Sequence, residues 1–169
     1  MLTTGDYVLY GGVGVCEIAS IETQSFDGKN SDEYCKLVPL FGTSLEYYLP
    51  SSILESTVRS LLSKNEILNV INNMPKTDSL KITDSRAKKH IFNLILKSGD
   101  YSRIVPMIKM LHDEKQARLS NGRRLTFADE KAMHDAEELM CQEFSVVLDI
   151  DKSAVPQYIE NTLRASAAS

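Results

Sequence analysis

The first residues in this chain with a spacing that could do chemistry are Gly11-Gly12-Val13-Gly14. A glycine-rich loop cradles phosphate when a strand precedes it and a helix N-terminus follows it. Here the next residues read as a second strand, so the loop is expected to be a turn. His90, His112 and His134 fall on three different predicted helices, with neither HExxH nor paired Cys/His spacing, so they do not form a metal-ligand set. Cys16, Cys35 and Cys141 are odd in number, lie far apart and lack CxxC spacing; they read as reduced, buried thiols of a cytoplasmic protein. Asp113-Glu114 and Glu137-Glu138 are adjacent on helices and diverge by about 100°, which does not build a two-carboxylate acid/base site. No catalytic residue, metal, cofactor or small-molecule substrate is expected. The chain should work by binding.

Two kinds of binding surface remain. Leu45-Glu46-Tyr47-Tyr48-Leu49 ends at Pro50, which has no N–H to give to a ladder and so favours an edge strand. An exposed edge can accept a partner's strand, with main-chain bonds supplying affinity and aromatic side chains supplying selectivity. One of Tyr47 and Tyr48 must instead pack a sheet face. The second surface is basic: Lys81, Arg86, Lys88 and Lys89 gather at a helix start, and Arg118, Arg123 and Arg124 flank a Ser-Asn-Gly loop. The net charge of −4 hides this asymmetry, being −5 over residues 1–75, +6 over 76–131 and −5 over 132–169. A basic middle can gather a polyanion within a Debye length even when the whole chain is acidic.

The elements that must position these residues change period partway along the chain. From Gly5 to about Arg59 the pattern is that of short antiparallel strands: Tyr7 to Tyr10, Val15 to Glu22, Glu33 to Pro39 and Ser44 to Pro50. Asp27-Gly28 and Phe41-Gly42 turn the chain between them. In the second strand Cys16, Ile18 and then Ser20 would oppose Val15, Glu17 and Ala19. The expected architecture is a small, strongly bent antiparallel barrel. Ser63 with Glu66 then forms a capping box ahead of Ile67, Leu68, Val70 and Ile71. Pro75 to Ser79 reads as a linker. Thr83 or Asp84 is expected to cap a helix running to Lys97, with Ile91, Leu94 and Ile95 on one face and Ser98-Gly99 closing it. Asp100 caps the next helix, which carries Ile104, Ile108 and Leu111; Pro106 inside it predicts a late start or a kink. Thr126 opens a long amphipathic helix through Met133, Ala136, Leu139, Met140, Phe144 and Val147. A last short helix carries Tyr158, Ile159 and Leu163 before a fraying tail. The fold class is α+β, a β barrel followed by an all-α bundle.

Gly5-Asp6-Tyr7-Val8-Leu9-Tyr10 with Gly11-Gly12-Val13-Gly14 resembles the opening motif of the CarD/CdnL transcription regulators, which share a polymerase-interacting domain with transcription-repair coupling factor. Ile18, Ile21-Glu22, Tyr34, Leu37, Leu49-Pro50, Val58-Arg59, Ser63 and Glu66 follow in the same order. Lys97-Ser98-Gly99-Asp100 and the run Leu125-Thr126, Met133, Ala136, Leu139, Glu143 and Phe144 extend the resemblance through the helical half. It implies a Tudor-like domain at residues 1–62 that binds the β subunit of RNA polymerase, a connecting helix and linker at 63–82, and a helical domain at 83–169 that meets promoter DNA at the upstream bubble edge. The polymerase-binding residues it implies are Gln24, Leu45, Glu46, Tyr47, Tyr48, Leu49 and Pro50. The DNA-binding ones are Ser85, Arg86, Lys88, Lys89, Arg123 and Arg124. The implied output is a change in open-complex stability, with no membrane partner and a cytoplasmic location. Family members carry a Trp where Ser85 stands, and this chain contains none. That departure leaves DNA contact weaker, purely electrostatic or differently placed, and keeps open a polymerase-binding module with little direct DNA contact.

Overall fold

Alternation in the first sixty residues becomes one antiparallel sheet. The computed structural model describes residues 1–25, 27–29, 31–42 and 45–168; Ser44, expected at the start of the fourth strand, lies outside them. Strands β1 (Tyr7–Tyr10), β2 (Gly14–Gln24), β3 (Asp32–Pro39), β4 (Tyr47–Pro50) and β5 (Val58–Ser60) pair in the order β4-β3-β2-β1-β5. The turn at Gly11 to Val13 pairs Tyr10 with Gly14, and Gly12 takes φ 87°, a backbone angle that costs glycine little. A short helix, α1 (Leu54–Thr57), precedes β5, a strand for which the sequence carries only three residues.

The sheet does not close. β4 and β5 are its two edges, and the expected barrel is an open five-stranded sheet among the described residues. Closure would require hydrogen bonds between two strands of four and three residues, one of them ending in Pro50, which has no donor. One face carries the unit's core: Val8, Cys16, Ile18, Cys35, Leu37, Leu49, Leu54 and Val58. The register between β2 and β3 shifts between Ile18 and Ser20, so that Ile18 opposes Leu37 while Ser20 opposes Lys36. Ala19 is the extra residue of a bulge, and Ser20 is thereby turned away from the face of Cys16 and Ile18.

The chain divides at Leu61 and Leu62, and the second unit is helical. It contains α2 (Lys64–Asn73), α3 (Lys88–Ser98), α4 (Tyr101–Ser120), α5 (Phe127–Leu148) and α6 (Val155–Ala168). Ser63 and Glu66 make the reciprocal capping box at α2. Asp100 caps α4 by accepting from the Ser102 N–H at 2.9 Å, and Thr126 caps α5 by accepting from Asp129 N–H at 3.2 Å. α6 continues to Ala168, further than the expected fraying tail.

Several local expectations change. α3 begins at Lys88, because Asp84 closes a turn on the Arg86 N–H at 2.9 Å and does not cap the helix. Its buried face is Phe92, Ile95 and Leu96, while Leu94 is exposed, a rotation of the expected stripe by about one residue. α4 runs through Pro106 from Tyr101, so the late start is absent. The segment expected as a linker is tied to α4: Lys109 Nζ donates to Thr77 O, Ser79 Oγ to Asp113 Oδ2 at 2.7 Å, and Leu80 N–H to Pro106 O at 2.9 Å. α2, also expected to connect two domains, packs on α6 inside the helical unit.

Under these helices sits a fully buried carboxylate. Glu143 accepts from the Tyr101 hydroxyl at 2.7 Å and from the Leu62 N–H at 2.8 Å, and the Tyr101 ring packs edge-on against Phe144 at 5.4 Å. Hydrogen bonds to the charged form lower the cost of burying it. Glu143 thereby holds the first residue of the helical unit to α5.

Candidate functional site

On the sheet unit, strand alternation sorts the candidate residues of β4. Leu37 opposes Tyr47 and Cys35 opposes Leu49, so Tyr47 and Leu49 point to the core face. Tyr47 meets the Tyr10 ring edge-on at 5.6 Å. Tyr48 opposes Lys36 on the other face and is 38% exposed, against 9% for Leu49. The choice between the two tyrosines is thus made by pairing register. Leu45 is 61% exposed and, with Glu46, precedes the strand.

Polar groups line the outward face beside this edge. Glu46 binds Lys36 Nζ at 3.2 Å and accepts from the Tyr48 hydroxyl at 3.4 Å. The hydrogen bond and charge of Glu46 raise the Lys36 pKa. Gln24, at the end of β2, donates its side-chain amide to Glu22 at 3.0 Å, and that bond leads the effects that hold the Glu22 carboxyl below its ordinary value. Gln24 and Glu22 lie on β2 while Tyr48 lies on β4, with β3 between them. The surface is a short edge with an amphipathic tyrosine at its centre, suited to pairing with a strand.

On the helical unit, the basic residues divide into two groups by environment. Ser85, Arg86 and Lys89 are exposed, as are Lys81, Arg123 and Arg124. Lys88 is not like them. Its Nζ lies 2.7 Å from Asp129 Oδ2 and 3.1 Å from Glu114 Oε2, with only 20% of the side chain exposed, and it sits 5.9 Å from the centre of the Phe92 ring. Burial works to lower its pKa, and the hydrogen bonds and charges of Asp129 and Glu114 outweigh that and raise it. Lys88 therefore joins α3, α4 and α5, and its charge is already matched.

That same network continues through Arg118 to the main chain of the α4–α5 loop. Glu114 Oε1 accepts from Arg118 Nε at 3.3 Å, and Arg118 Nη1 donates to Arg124 O at 3.3 Å. A groove of about 450 Å³ between the N-terminal turns of α3 and α5 is lined by Ser85, Lys89, Phe92, Phe127 and Lys131, among others. Phe127, absent from the residues singled out in sequence, is 87% exposed there. A Phe directly after the capping Thr126 was its only trace in the sequence. Among the described residues no group of three or more His, Cys, Asp or Glu could hold a metal ion, and no helix is long and apolar enough to cross a membrane.

No curated protein matches the chain. Residues 2–62, which contain all five strands, match the family model of the CarD-like/TRCF RID domain. This domain is an RNA polymerase-interacting, protein-binding module, and residues 2–62 of the chain are similar to it.

Proposed function

We propose that this chain is a cytoplasmic transcription regulator that docks β4 on the β subunit of RNA polymerase and presents the start of α3 and the α4–α5 loop to promoter DNA at the upstream bubble edge. One observation carries the reading: the RID family match covers a sheet in which β4 is an edge strand among the described residues, with Tyr48 partly exposed on it. Leu45, Glu46, Tyr48 and Pro50 are the contacting residues of the edge; Tyr47 and Leu49 shape it from the core side. Gln24 extends the same unit's polar face. No bond is made or broken in this function. A protein that holds polymerase and DNA together more favourably in the open complex raises the population of that state by its differential binding energy. About 1.4 kcal/mol of preference changes the equilibrium tenfold.

Capture of RNA polymerase by the full chain tests the docking. Tyr48→Asp should abolish capture while leaving the fold intact, because a carboxylate on that edge must be desolvated against the partner. Undiminished capture by the variant would remove the docking surface. For the DNA half, Arg86→Glu with Lys89→Glu should shorten open-complex lifetime while polymerase capture stays at the wild-type level.

A second reading, a polymerase-binding module with little direct DNA contact, draws on Lys88, which is engaged inside the fold, and on the absence of Trp at Ser85. An unchanged open-complex lifetime in the double charge reversal would favour it.

A further inference from the structure

Single exposed apolar side chains are common and need no explanation, so the exposure of Phe127 is not by itself informative. Its surroundings are. The ring stands on the first turn of α5, in the groove whose apolar lining continues through the buried Phe92 and Leu96 and whose rim carries Lys89 and Lys131. Arg86 lies just before the α3 start, also exposed. Asp129, the one buried carboxylate of the groove, is neutralised by Lys88. Asp135 is held by Lys131 in an i,i+4 pair on the surface, which is screened and costs little to rearrange. An uncharged or basic partner would leave Lys89 and Arg86 unanswered and would gain nothing from Lys131. A flat aromatic face flanked by cations suits a ligand that alternates π-faces with anions.

Single-stranded nucleic acid has that alternation. We propose that the groove binds an unpaired nucleotide, with its base stacked on Phe127 and the flanking phosphates on Lys89, Arg86 and Lys131. A base inside a duplex already has both faces covered, whereas an unpaired one offers a face to an aromatic ring, and such stacking tolerates any sequence. The inference rests on the reading that this face meets nucleic acid, and adds to it that the strand is single and is held by stacking.

The test is equilibrium binding of the full chain to a short oligothymidine, and to a duplex of equal length, followed by fluorescence anisotropy. Phe127→Ala should weaken oligothymidine binding about tenfold, as loss of one stacked base does. Phe127→Leu should weaken it similarly, and Phe127→Tyr should restore it, while the duplex binds all four proteins alike. A 2-aminopurine placed in the oligonucleotide should be quenched by the wild-type chain and by Phe127→Tyr only. Retained single-strand affinity in Phe127→Ala or Phe127→Leu overturns the stacking site. If Arg86→Glu with Lys89→Glu weakens both ligands in that case, the nucleic-acid face stands and only the stacking fails. If neither ligand responds to that double variant, or the wild-type chain binds neither, both readings fail. Concentration-dependent dimerisation lost in Phe127→Ala would assign the groove to a second copy of the chain and overturn the proposal.

Discussion

Lys88 and Lys89 are adjacent lysines that no local property separates. The difference arises from helix phase: one step of about 100° turns Lys88 toward Asp129 and Glu114 and Lys89 toward solvent. A basic cluster was therefore legible in sequence, but its division into interior and surface members depends on where α4 and α5 pack. Lys88→Met should destabilise the helical unit by about 2 kcal/mol in urea unfolding, below the range for fully buried pairs because a fifth of the side chain is exposed. Lys89→Met should leave stability unchanged. The cysteines read more easily for two of the three: Cys16 and Cys35 are buried in the sheet core as small hydrophobes, while Cys141 is only half-buried. Burial pushes the Cys16 thiol up to about 11, whereas an unfolded thiol ionises near about 8.5. Between those values the folded chain keeps a proton that the unfolded chain has lost, so stability falls as pH rises through the window. Urea midpoints at the two ends of that range should show the fall, and it should shrink in Cys16→Ala. An equal fall in both proteins would mean that other groups cause it.

Elements with strong local markers were legible, and those defined by their partners were not. Capping at Ser63, Asp100 and Thr126, and the stop at Gly99 with φ 62°, needed only neighbouring residues. β5 is three residues long and exists because β1 offers an edge to Val58, Arg59 and Ser60. The Pro75 to Ser79 stretch has the composition of a linker, yet beyond it Leu80 finds the Pro106 carbonyl. Hydrogen exchange should accordingly show the Leu80 amide protected; exchange at the rate of an open chain would restore the free-linker reading. β4 invites a similar correction. Leu49 belongs to the core, so Leu49→Ala should cost the sheet unit about 2–4 kcal/mol without addressing docking at all. Its outward neighbour Tyr48 is the position at which the proposed docking can be tested apart from folding.

At the scale of the whole chain, the alternation of acidic, basic and acidic segments was visible from residue counts, while the route that joins the two basic groups, Lys88 to Glu114 to Arg118 to Arg124, was not. The two proposed activities differ in the physics of their contacts. Strand docking at β4 uses main-chain hydrogen bonds and the Tyr48 ring, neither of which releases many counterions. The helical face would use exposed Arg86, Lys89, Arg123 and Arg124, and contacts of such cations with phosphate displace condensed counterions and so weaken as salt rises. With all four engaged, DNA affinity should fall about a hundredfold between roughly 50 and 200 mM salt, following a slope of about −0.9 per phosphate. Polymerase capture should change little over the same range. Neutralising one member, Arg123→Ala, should reduce the slope by about one phosphate while leaving capture unaltered. Parallel loss of both activities with salt would mean that docking is itself electrostatic, through Lys36 and Glu46 on the outward face and not through the edge of β4.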